Sequence, residues 1–99
     1  MKTQGFSTIP GGKAPVRDAT EEVKEIALAV KAEVEAKVNQ TFAVYEAVKY
    51  RSQVVAGVNY YIKVHVGDDK YIHITVWSKL DQTLELTSVE VNKTADDDL

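Results

Sequence analysis

From position 23 onward, apolar residues recur every three or four places: Val23, Ile26, Ala27, Val30, Val34 and Val38. Lys24, Glu25, Lys31, Glu33 and Glu35 fall off that stripe. The spacing places the apolar side chains on one face of a 3.6-residue helix and predicts one amphipathic helix over about residues 20–37. Thr20 is a suitable N-cap, and the negative charges of Glu21 and Glu22 suit the positive end of the helix dipole.

After Thr41 the period changes to two. Phe42, Val44, Val48 and Tyr50 share a parity, as do Val58, Tyr60, Ile62, Val64 and Val66, with Asn59, Tyr61, Lys63 and His65 between them. These are half-buried strands. Gly67-Asp68-Asp69-Lys70 is turn chemistry, after which Ile72, Ile74 and Val76 resume the alternation. Leu84 and Leu86, then Val89 and Val91 with the parity changed near Ser88, predict a last strand carrying a bulge. A helix and an antiparallel meander, each with a single apolar face, bury those faces by packing together. The expected class is α+β, one long helix against an antiparallel sheet of four to five strands.

The first stretch reads differently. Residues 1–19 hold both prolines, Pro10 and Pro15, and three of the five glycines, Gly5, Gly11 and Gly12. This predicts a flexible trunk over residues 1–12 ahead of a single domain over 13–99, with residues 13–17 able to add a short strand.

Composition narrows the chemistry. Ninety-nine residues with a net charge of −3 suit one domain and give no electrostatic reason to expect nucleic acid or an anionic membrane as a partner. The absence of cysteine excludes a disulfide framework, a thiolate nucleophile and Cys-ligated metal sites, and favours a reducing, cytoplasmic setting. No apolar h-region follows Lys2 and no apolar run reaches the ~18 residues of a membrane span, so no membrane association is expected. Two Asn-x-Thr sequons, at Asn39 and Asn92, would matter only in a secreted protein.

Three features do not follow from folding alone. With strands ending near Ser52 and resuming near Val58, the connection is Gln53-Val54-Val55-Ala56-Gly57, although turns are normally polar. Either these residues continue two long strands, with Gly57 at a bulge or turn, or the tip is an exposed apolar wedge that a partner covers. Ile9-Pro10-Gly11-Gly12 sets a hydrophobe and a rigid residue before two that allow close backbone approach. Trp77, the only tryptophan, stands at the mouth of the last hairpin, before Lys79, Leu80 and Asp81. Alternate turns of a meander share one end of the sheet, so two loops and a tail can converge there.

The run from Gln53 to Gly57, continued by Asn59-Tyr60-Tyr61-Ile62-Lys63-Val64-His65-Val66-Gly67-Asp68, strongly resembles the stefins, the type 1 cystatins. Pro10-Gly11-Gly12 resembles the stefin N-terminus at the matching distance, and the resemblance covers about residues 9–98. It implies a cystatin-like fold and a reversible inhibitor of papain-like cysteine proteases such as papain and the cathepsins, without cofactor, metal or catalytic residue. It also implies a three-part wedge. Ile9, Pro10, Gly11 and Gly12 would lie toward the non-primed subsites, Gln53, Val54, Val55, Ala56 and Gly57 across the cleft, and Leu80 on the primed side, with Trp77 and Asp81 beside it. Asp81 stands where the family usually carries Pro, the second loop reads short, Asp18 also replaces a common Pro, and the aromatic tail is missing. These departures mark a divergent or engineered member.

Two rival readings come from other classes. The expected register sets His65 opposite His73, a pair that could bind Cu²⁺ or Zn²⁺, yet a third ligand and a second shell have no motif to supply them. No phosphate-binding Gly-rich loop, His-Glu-x-x-His or Ser elbow is present, and the acidic run Asp96-Asp97-Asp98 reads as a solvated tail. The chain reads as a non-enzyme. A stefin-fold scaffold is the other reading: straightening of the hairpin at residues 53–57 would exchange halves between chains, giving a domain-swapped dimer in place of the expected monomer.

Overall fold

The computed structural model describes residues 12–99. Ile9, Pro10 and Gly11 therefore lie outside the described residues. The elements run β1 (Arg17–Asp18), α1 (Glu21–Ala29), α2 (Lys31–Val38), β2 (Glu46–Val55), β3 (Gly57–His65), β4 (Tyr71–Ser78) and β5 (Leu84–Lys93). The strands form one antiparallel sheet in sequence order. This is the expected α+β arrangement, helix packed on sheet.

The single helix expected over residues 20–37 is instead two segments joined at Val30, which has φ −103° and ψ 6°. No Pro or Gly marks the break. Val23, Ala27, Val30 and Val34 are all buried, so the apolar stripe runs through it. The break falls at a buried β-branched residue, and the Val34 amide still donates to the Val30 carbonyl at 2.9 Å across it. Thr20 caps the first segment, its hydroxyl accepting from the Val23 amide at 3.2 Å. Asn39 ends the second in the left-handed region at φ 56°, a conformation that asparagine tolerates.

The core joins that stripe to Ala47, Ile62, Val64, Ile72, Ile74 and Val76, with Tyr60, Leu84, Leu86 and Val89 packed at its margin. The predicted bulge in β5 is present, where Thr75 pairs with Ser88 but Val76 with Leu86. Residues 41–45 are not the expected strand. Phe42 is buried and its amide donates to the Glu35 carboxylate at 2.9 Å, while Val44 is exposed; β2 starts at Glu46 and carries its own irregularity between Ala47 and Lys49.

The expected pairing of His65 with His73 is overturned. His65 faces Tyr71, and His73 faces Lys63. A slip of two residues returns every side chain to the same face, so alternation cannot tell the two registers apart; the turn decides. Val66 donates to the Lys70 carbonyl at 3.0 Å and Lys70 to that of Gly67 at 2.8 Å, which closes a tighter turn than the first register needs.

The acidic run is not simply a solvated tail. The segment 94–99 lies over the sheet face that bears Arg51 and Lys63. Lys63, 7% exposed, donates through Nζ to the carbonyls of Ala95 (2.6 Å) and Asp97 (2.8 Å), and Arg51 Nη1 donates to that of Leu99 (3.1 Å). Among the described residues no helix is long and apolar enough to cross a membrane.

Candidate functional site

At one end of the sheet the β2–β3 and β4–β5 connections lie side by side. Of the two readings of residues 53–57, each holds in part. The strands do continue: Gln53 pairs with Asn59, Val54 with Val58 and Val55 with Gly57, leaving Ala56 alone at the turn. The tip is nevertheless exposed, Val54 at 54% and Val55 at 39%. Apolar surface of this kind is retained at the cost of solvation, and gains about 25 cal/mol per Å² when a partner covers it.

Gly57 has φ +98°, and a Cβ built there would fall within 3.0 Å of the Ser78 carbonyl oxygen. The conformation strains any other residue, and the contact leaves no room for its Cβ unless the backbone shifts. The first loop thus packs its glycine directly on the backbone that leads into the second. A further link joins them: the Trp77 indole N–H donates to the Ala56 carbonyl at 2.8 Å. The Lys79 ammonium lies 5.2 Å from the Trp77 ring centroid and 2.9 Å from the Glu85 carboxylate.

The second loop is closed on itself. Lys79 donates to the Thr83 carbonyl and Gln82 to that of Lys79, each at 2.9 Å, with Gln82 in the left-handed region at φ 71°. Asp81 accepts from the Thr83 hydroxyl (2.6 Å) and amide (3.0 Å), and these hydrogen bonds hold its carboxyl below the usual carboxylate range. Leu80 is left at the tip, 78% exposed.

The base of the trunk runs beside the root of the first loop. Lys13 bridges to Gln53, the Ala14 amide donates to the Ser52 carbonyl at 2.7 Å, and the Lys13 ammonium sits 4.2 Å from the Tyr61 ring centroid. Gln53 Oε1 accepts from the Tyr61 hydroxyl at 2.6 Å and from the Asn59 side-chain Nδ2 at 3.3 Å. Gly12, exposed, leaves the sheet at this point.

Of the residues expected to form the site, Ala56, Leu80 and Asp81 fall in the two adjacent connections, Gln53, Val54, Val55, Gly57 and Trp77 on the strand ends that lead into them, and Gly12 beside them ahead of Lys13. Sequence reasoning missed Lys13, Tyr61 and the Ser78–Lys79 backbone. Tyr61 lies on the polar parity of β3, which carried no signal, and the backbone role of Ser78 has none to give. Among the described residues no group of three or more His, Cys, Asp or Glu is placed to hold a metal ion.

The comparisons with known proteins agree on one family. A model described as Cystatin domain matches residues 11–96. The chain is 52% identical to Cystatin-A1 of Sus scrofa over 94 residues, covering 92% of this chain and 91% of that protein. It is 50% identical to Cystatin-A of Bos taurus over 94 residues, covering 92% and 96%, and 47% identical to Stefin-C of Bos taurus over 92 residues, covering 90% and 91%. Leukocyte cysteine proteinase inhibitor 1 of Sus scrofa is 50% identical over 94 residues, at 92% and 91%.

Proposed function

The chain belongs to the cystatin family, as a stefin-type member, and from that premise we propose that it inhibits papain-like cysteine proteases reversibly, by inserting the loop end of its sheet into the active-site cleft. It is not an enzyme. Its relatives carry the names cystatin, stefin and cysteine proteinase inhibitor, and inhibition of a cysteine protease is the role those names support.

The observation that carries the proposed geometry is the exposure of Val54, Val55 and Leu80 at two adjoining hairpin ends linked by the Trp77–Ala56 hydrogen bond. In this reading Val54 and Val55 give up water against the cleft, Leu80 does the same on the primed side, and Ile9, Pro10 and Gly11 follow the non-primed side ahead of Gly12. The first loop enters as a closed hairpin. A protease cleaves a segment that it can draw out as an extended strand through its subsites, whereas β2 and β3 hold both flanks of this loop in ladder hydrogen bonds. Inhibition therefore leaves the chain uncut. The two fastened loops are ordered before docking, so less conformational entropy is lost than with a free peptide.

The test is a titration of papain of known active-site concentration, following hydrolysis of a small fluorogenic peptide. Stoichiometric, reversible loss of activity with the added protein intact on a gel supports the proposal. Full activity at large excess of the monomer rejects it, and leaves a stefin-fold scaffold or a domain-swapped module as the reading.

A further inference from the structure

Ala56 is the one residue between the paired Val55 and Gly57, at the outermost point of the hairpin. Its carbonyl group therefore needs some other partner to fix its direction. That partner is the indole N–H of Trp77, 2.8 Å away on the neighbouring strand. The indole is itself held in place. Trp77 lies opposite Asn59 on one side and Glu85 on the other, and the Lys79 ammonium beside its ring is paired with Glu85.

From this geometry we infer that Trp77 is a positioning residue, whose N–H fixes the Ala56 carbonyl and so holds the first-loop tip in the shape in which it docks. The inference rests on the inhibitory reading above and adds a residue that acts through Ala56. A phenylalanine at this place would fill much of the same space but has no hydrogen to donate. The tip would then keep its packing at Gly57 and Ser78 while the Ala56 peptide became free to turn. Ordering it would be left to the docking step, and affinity would fall.

Trp77 is the only tryptophan of the chain, which allows two complementary replacements. One is Trp77→Phe. The other is biosynthetic incorporation of 3-benzothienylalanine at residue 77, which keeps the ring size and replaces the N–H by sulfur. Backbone ¹⁵N order parameters of the free proteins are compared, together with inhibition constants against papain.

In both variants the order parameters at Val55, Ala56 and Gly57 are expected to fall from about 0.85 toward about 0.6, with Ile62 and Ile74 unchanged. The inhibition constant should rise about 3- to 10-fold, the effect of one neutral hydrogen bond. Unchanged order at the tip overturns the inference, and so does unchanged inhibition with a loosened tip. Should Trp77→Phe disturb the core, the isosteric analogue decides. If the unmodified protein leaves papain active, the inhibitory reading fails, while the order-parameter comparison still decides whether Trp77 fixes the tip.

Discussion

Gly57 and Ser78 meet backbone to backbone: any side chain on the first would occupy the space of the second's carbonyl oxygen. Gly57→Ala therefore adds a clash to a φ of +98°, a region that costs an L-residue about 1–2 kcal/mol before the clash is counted. The variant is expected to melt at least about 4–8 °C lower by calorimetry, given the scale for a domain of this size, and to inhibit papain less well because the two loops no longer fit together. An unchanged melting temperature would show that the loops are not in contact.

Val55→Asp separates docking from folding. Val55 is exposed, so a carboxylate there stays solvated in the free protein and circular-dichroism melting should be nearly unchanged. In the complex that charge would be desolvated, and binding is expected to weaken at least about tenfold in an inhibition assay. A collapsed melt would mean that Val55 is buried in solution, as in a straightened, exchanged hairpin.

How much of this was legible in the sequence differs from element to element. The core face of β3 and β4 was readable because Ile62, Val64, Ile72, Ile74 and Val76 alternate without interruption, and the parity change near Ser88 announced the β5 bulge. Alternation is blind to slips of two residues, which is why His65 was expected opposite His73 rather than Tyr71. It is equally blind to an irregularity that preserves an apolar stripe, as at Val30. The apolar residues of the first loop were legible as an anomaly, since Val54 and Val55 contradict ordinary turn chemistry, whereas Leu80 was picked out only by the resemblance to the stefins. What fastens those loops was not: the Trp77–Ala56 bond and the Gly57–Ser78 fit both use main-chain atoms, which every residue type shares. The segment 94–99 was misread for the same reason, because Lys63 and Arg51 hold it by its carbonyls and not by its aspartates.

His73 makes stability depend on pH. It is 7% exposed, and its Nε2 has no hydrogen-bond partner among the described residues. Burial, and then the positive charges of Lys63 and Lys93, hold the imidazole below its usual value of 6.5, against an opposing pull from Glu90 and Asp97. The unfolded chain takes up this proton near pH 6.5 while the folded chain resists it. The contribution is therefore complete above pH 6.5 and is lost as the pH falls from there toward the lower folded value. Thermal midpoints measured from pH 7.5 to 5 should decline, with a smaller slope in His73→Gln. Equal slopes would show that the imidazole is solvated.

Removal of residues 1–11 tests the trunk. In the proposed geometry Ile9, Pro10 and Gly11 add contacts after the loops have docked, so their loss is expected to raise the dissociation rate and leave the association rate nearly unchanged. Stopped-flow kinetics with papain distinguishes the two, and an unchanged dissociation rate would remove the trunk from the wedge.

The most direct measurement of the central claim is the amide hydrogen-exchange footprint of the protein mixed with papain in equal amounts. The account expects protection confined to residues 53–58 and 77–82 and to the trunk from Ile9 to Lys13, with α1 and the face covered by residues 94–99 exchanging as in the free protein. Protection on the helix or on that covered face, with the two loops unaffected, would contradict it.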